Sequence, residues 1–166
     1  MSHSTTMTAK APAASTSTNP WKAALWGGVI TAVIAAGFSL LLPMSMPFLW
    51  IPALWLIGVG PVLGYQIAAG QLGSDWKSLI GGLLGGIIPF LGQLILWPLF
   101  VWLFNRKFSF GRLFLGSLIG LVLGVVVFFV VGMLMGQDPY LWVGPAWALG
   151  VSMWGGAAAA AMPGRE

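Results

Sequence analysis

Cysteine is absent from the chain, which excludes a disulfide, a thiolate metal site and a cysteine nucleophile. Histidine occurs once, at His3 near the amino terminus, so imidazole ligation of haem or another metal has no residue to use within the apolar stretches. Charge is scarce as well: Asp, Glu, Lys and Arg make up 6% of 166 residues, against about 25% in a typical soluble domain. The ionisable side chains are His3, Lys10, Lys22, Asp75, Lys77, Arg106, Lys107, Arg112, Asp138, Arg165 and Glu166, and each falls in a tail or a connection. Converging carboxylates are therefore missing where a catalytic acid–base pair would need them. Relays of protons or sodium through buried Asp, Glu or His are equally unsupported. No enzyme activity, no cofactor and no metal is expected.

What fills the chain instead is apolar. Hydrophobic residues make up 58% of it, in five segments, 21–42, 47–69, 78–104, 113–136 and 139–161, most of them near the ~20 residues that a helix needs to cross a bilayer. A membrane barrel would alternate apolar and polar residues, and Leu121 to Val131 shows no alternation. The expected fold class is an all-α integral membrane protein, a helical bundle forming one transmembrane domain over 21–161. Residues 1–20, rich in Ser, Thr, Ala and Pro, have the composition of a disordered polar tail, and 162–166 form a short carboxy-terminal tail. The net charge of +4 belongs to basic residues beside the segments, where it sets topology rather than binding nucleic acid.

The third segment is unusual. Its 27 residues would make a helix of roughly 40 Å at about 1.5 Å per residue, too long for one crossing without strong tilt. Gly81, Gly82, Gly85, Gly86, Pro89 and Gly92 lie in its first half, and glycine and proline weaken or break helices. Two half-helices, near 78–88 and 93–104, are one expectation, and a single kinked, tilted helix is the other. If all five segments cross, Lys10, Lys22 and Lys77 oppose Arg106, Lys107, Arg112 and Arg165. With a re-entrant third segment the seven share one face, as the positive-inside rule prefers. In either arrangement the basic-aromatic loop with Arg106, Lys107, Phe108, Phe110 and Arg112 is expected in the cytoplasm. Five apolar segments with such a loop resemble the layout of bacterial relatives of the Yip family of membrane proteins. That resemblance implies a bacterial cytoplasmic membrane and carries over no residue and no activity.

Two stretches echo each other. Pro47/Pro139, Leu49/Leu141, Trp50/Trp142, Trp55/Trp147, Gly58/Gly150 and Val59/Val151 are identical in an ungapped alignment, and Pro52 and Pro145 fall one position apart. A duplicated helical hairpin, 21–69 and 112–161, would account for this and suggests a pseudo-twofold with the third segment inserted between the copies. Chance recurrence in a biased composition is the alternative.

Glycines recur at helical spacing: Gly116, Gly120 and Gly124, then Gly60/Gly64, Gly132/Gly136 and Gly82/Gly86. Such seams let helix backbones approach in lipid, where packing rather than hydrophobicity drives association. The seam can close this bundle or meet another chain. Tryptophans near segment ends, such as Trp21, Trp50, Trp76, Trp102 and Trp142, are expected as interfacial anchors, with Trp55, Trp97, Trp147 and Trp154 deeper. Polar residues at membrane depth are few: Thr31, Ser39, Tyr65, Gln66, Gln93, Ser117 and Ser152. Gln93, beside the break at Pro89 and Gly92, can bond between helices or contact a polar solute, while Tyr65 and Gln66 are expected to reach the interface.

Two functions follow. The first is a non-enzymatic scaffold, assembly factor or accessory subunit acting through glycine-seam packing, its partners being the lipid bilayer and another membrane protein or a second copy of itself. The alternative is a small facilitator or channel for a neutral solute at the repeat interface, around Pro52, Gln93, Pro89 and Pro145.

Overall fold

The computed structural model describes residues 18–41, 50–88, 90–136 and 138–163, and among them every regular element is a helix. Helix α1 is Pro20–Leu41, α2 Trp50–Ala68, α3 Trp76–Gly85, α4 Trp97–Phe104, α5 Phe110–Met135 and α6 Pro139–Ala160, with a π-helical turn, Gly92–Leu96, leading into α4. Most of the tail expected over 1–20, Pro89 and the side chain of Pro52 lie outside the described residues. By length and composition α1 and α5 can each cross a membrane, and Ala53–Ala68 and Gly92–Phe104 are shorter apolar helices. That is fewer long apolar helices than five segments suggested. The third segment is divided in two, and α6, within the fifth, is diluted with Gly, Pro and Ala.

The helices are inside out by the standards of a water-soluble bundle. On α5 the buried positions are Leu113, Gly116, Ser117, Gly120 and Gly124, whereas Leu115, Ile119, Val122, Val126, Phe129, Val130 and Met133 are exposed. On α1 the buried stripe is Ala23, Gly27, Thr31 and Ala35, with Trp21, Leu25, Val29 and Val33 outside. Small residues thus face the neighbouring helix and large apolar ones face away, the reverse of an amphipathic surface helix.

Packing runs in a closed order: α6 on α1, α1 on α2, α2 on α3, α3 on α4, α4 on α5 and α5 back on α6, with α2 also touching α6. A twofold relating the hairpins α1–α2 and α5–α6 would pair α2 with α5 as α1 is paired with α6. Those two form no packed pair among the described residues, because the α3–α4 unit stands between them. The expected pseudo-twofold is therefore absent from the packing.

The third segment reverses direction. Asp75, before α3, and Asn105, after α4, are joined by a hydrogen bond from Asn105 Nδ2 to the Asp75 carboxylate. Asn105 Nδ2 also donates to Ser78 Oγ at 3.2 Å. Asp75 caps α3 as well, accepting from Ser78 N at 3.2 Å, which satisfies a backbone donor that the helix leaves open. The reversal itself lies between Gly86 and Leu91, where Phe90 adopts φ 58°, left-handed backbone uncommon for a bulky residue.

Paired glycines make this hairpin close. A Cβ on Gly81 would stand 2.8 Å from the Phe100 carbonyl oxygen, and one on Gly85 would collide with Trp97, so both face α4. The next residue of each pair faces α2: a Cβ on Gly82 would come within 2.5 Å of the Gly58 carbonyl oxygen, and one on Gly86 would collide with the Leu54 carbonyl. Helix α3 thus carries two seams on adjoining faces, one to close the hairpin and one to dock it.

All starts of odd helices and ends of even ones meet at one end of the bundle. Tyr65, near the end of α2, packs edge-on against Phe108 at 5.5 Å. Gly64 sits against Gly27 of α1, and Gly116 of α5 against Ala157 and Ala161 of α6. The described basic residues Lys22, Lys77, Arg106, Lys107 and Arg112 consequently share this end. Gln66 belongs to the same junction: its Nε2 donates to the Asp75 carbonyl at 2.9 Å, and its Oε1 accepts from Gly73 N at 2.9 Å. Expected at the interface, Gln66 is instead buried, because its amide is taken up by Gly73 and Asp75, which the turn after α2 brings back over it.

Candidate functional site

At the opposite half of the bundle the packing leaves a cavity of about 940 Å³. Its walls come from the reversal (Ile87, Ile88, Phe90), from Gln93 in the π-helical turn, and from Leu121, Val125, Phe128 and Phe129 of α5. Further walls are Val143, Trp147 and Trp154 of α6, and Leu54 of α2 closes one side. The hairpin is short, so its tip leaves α5 and α6 unfilled beyond the point where α4 begins. Cavities of roughly 300–1,000 Å³ with mainly apolar walls are the usual size for small-molecule sites.

Trp154 and Trp97 sit beneath. Their rings meet edge-on at 5.4 Å with an interplanar angle of 78°, a favourable arrangement of ring quadrupoles. Trp97 Nε1 donates to the Gly58 carbonyl oxygen at 2.7 Å. Trp154 Nε1 is buried without a partner. Between this pair and the basic end the core is filled by Val62, Val101, Leu113 and Met162, all fully buried.

Gln93 is 6% exposed and lines the cavity. No side-chain hydrogen bond joins its amide to a described residue. The other polar groups of the helices are spent locally: Thr31 Oγ1 donates to the Gly27 carbonyl at 2.6 Å, Ser39 Oγ to Ala35 at 2.9 Å and Ser152 Oγ to Leu149 at 2.7 Å. Ser117 Oγ is buried and unpartnered. Among the described residues the polar side chains around the cavity are the Gln93 amide and the indoles of Trp147 and Trp154, and none of the described lining residues is ionisable.

The glycines singled out by spacing have distinct places. Gly116, Gly120 and Gly124 all face α6, where added Cβ atoms would meet Ala157, Trp154 and Gly150. Gly60 faces Thr31 and Gly64 faces Gly27, both on α1, while Gly132 rests on the Trp142 ring. Gly136 does not extend a seam. It follows α5 with φ 87° and ψ −161°, and a Cβ there would meet nothing within 4 Å; its role is to end the helix in a backbone conformation that is essentially reserved for glycine. Pro145 is exposed within α6 and is not part of the cavity wall, so the structure does not bring it together with Gln93. The cavity lies between the reversal and the α5–α6 pair instead of at an interface of repeats. Spacing alone also left unnoticed the stripe Ala23, Gly27, Thr31, Ala35 and its partners Gly155 and Ala159, although the four-residue period was there to find them.

A second, polar cleft of about 730 Å³ lies at the basic end, lined among others by Gln71, Ser74, Lys77, Asn105, Arg106 and Lys107. The Arg106 guanidinium lies 3.7 Å over the Trp102 ring, a cation–π contact, and Lys107 and Arg112 are exposed. Among the described residues no cluster of His, Cys, Asp and Glu could hold a metal ion. The chain matches no protein-family model, no curated protein sequence and no solved structure.

Proposed function

We propose that the chain is a non-enzymatic integral membrane protein with four crossings and a re-entrant hairpin, α3–α4, which binds a neutral, membrane-soluble molecule in the cavity beneath the reversal. The observation that carries this reading is the cavity of about 940 Å³ reaching Gln93. Its bilayer setting is supported by α1 and α5, each long and apolar enough to cross, and by their large apolar side chains facing outward. Irregular backbone at membrane depth is tolerated where it is covered by protein or lines a cavity, and Ile87, Ile88 and Phe90 of the reversal line this one. Gathering of the basic side chains at one end orients that end to the cytoplasm by the positive-inside rule.

Binding fits the geometry better than conduction. The core from the Trp97–Trp154 pair to the basic end is filled by fully buried side chains, so the cavity has a floor. A scaffold role through the Gly116/Gly120/Gly124 seam lacks its surface, since α6 of the same chain occupies it. A partner protein would meet the large apolar side chains outside.

The test is photolabelling of the full chain in phosphatidylcholine nanodiscs with a diazirine-bearing alkane. Saturable labelling of the hairpin tip and of α6 over 143–154, lost in the cavity-filling variant Leu121→Trp, is the expected result. Labelling spread evenly over the outer faces and unchanged in Leu121→Trp would refute the binding role.

A further inference from the structure

The chemical class of the molecule can be narrowed from the two unpartnered groups. Trp154 is 1% exposed, and its indole N–H has no acceptor; an indole nitrogen donates only. Gln93, 6% exposed, contributes an amide with no bond to a described residue. More than nine in ten buried polar groups in folded proteins find a partner, and leaving one without is destabilising. The Trp154 indole N–H, buried without an acceptor, and the unbonded Gln93 amide N–H groups thus belong to residues on the wall of one cavity.

We propose, resting on the binding role above, that the molecule is an uncharged, mostly apolar carbonyl compound, a ketone, ester or quinone, whose oxygen accepts from Gln93 and Trp154 at the inner end of the cavity. A carbonyl oxygen has two lone pairs and can take both donors at once. A charge is disfavoured, because none of the described residues lining the cavity is ionisable and an unpaired ion in an apolar site is costly. The body of the molecule lies along Phe128, Phe129, Trp147 and Val125, which offer apolar and aromatic contact. Its way in is lateral: Ile87, Ile88, Phe90 and Phe129 line the cavity and remain exposed, so the mouth opens among large apolar side chains and not among polar ones.

The experiment compares two competitors in the same nanodiscs. The full chain is photolabelled with a diazirine-bearing long-chain methyl ketone, and unlabelled ketone or the alkane of equal length is added. The ketone is expected to compete at a concentration about tenfold lower than the alkane, the factor expected for one or two hydrogen bonds made in an apolar site. In Gln93→Leu the label is retained and the tenfold preference disappears. Trp154→Phe keeps the ring, reduces the preference in the same way, and carries the comparison should Gln93→Leu fail to fold. Equal competition by ketone and alkane, or a preference that survives both substitutions, overturns the carbonyl assignment while saturable cavity labelling leaves the binding role intact. Absence of saturable labelling with either reagent overturns both.

Discussion

Asn105 donates a hydrogen bond to the carboxylate of Asp75, thirty positions earlier, and this contact ties together the two ends of the only apolar segment too long for a simple crossing. The same carboxylate holds Ser78 through both its backbone N–H and its hydroxyl. One acidic side chain thus caps α3 and fastens α4 to it.

Asn105→Leu is expected to loosen the hairpin at its base. It removes the donor while leaving Asp75 partly buried with fewer partners, a change worth about 1–3 kcal/mol. Unfolding by SDS titration in mixed micelles should show a loss in that range, and amide exchange at 76–80 should speed up. Asp75→Ala removes the cap as well and should cost more than Asn105→Leu; the reverse order would count against the shared-carboxylate geometry.

Glycine substitutions separate contact from composition. Gly82→Ala puts a methyl group within 2.5 Å of the Gly58 carbonyl oxygen, and Gly120→Leu drives a side chain into the Trp154 backbone. Both are expected to destabilise, by about 1–3 kcal/mol for the alanine and more for the leucine. Gly37→Ala, in α1 with nothing within 4 Å, should instead gain roughly 0.5–1 kcal/mol from helix propensity. The same SDS titration measures all three, and equal losses at the three sites would contradict the packing described.

Trp97→Phe tests the floor of the cavity. The ring contact with Trp154 can persist, but the bond to Gly58 is lost and a buried carbonyl is left without that donor. A loss of about 1–3 kcal/mol is expected, with little change in far-ultraviolet circular dichroism. No loss would mean that the Trp97–Gly58 bond does not hold the hairpin on α2.

Much of this architecture was legible in the order of residues. The break in the third segment could be read from Gly81 to Gly92, since glycine and proline act on the backbone locally. Gln93 stood out because an amide amid apolar residues is rare. The partner of each seam was not legible, because spacing shows that a helix has a small-residue face and not which helix meets it. Gly81 and Gly82 read as one weak point, yet their side-chain directions, about 100° apart around the helix, place one against α4 and the other against α2. Pro145 looked equivalent to Pro52 through the echo of 47–59 in 139–151, but the hairpin standing between α2 and α5 removes that symmetry from the packing. Gln66 was placed at the interface by its position at a segment end, whereas its burial comes from a tight turn whose shape no local pattern announced.

The central claim is that α3–α4 enters and leaves on one face. Because the chain has no cysteine, single cysteines report topology directly, and Ser74→Cys, Ser109→Cys and Asp138→Cys can be probed in sealed inside-out and right-side-out vesicles with an impermeant maleimide. Ser74→Cys and Ser109→Cys are predicted to label from the same, cytoplasmic face, and Asp138→Cys from the other. Labelling of Ser74→Cys and Ser109→Cys from opposite faces would contradict the re-entrant hairpin and with it the cavity it roofs.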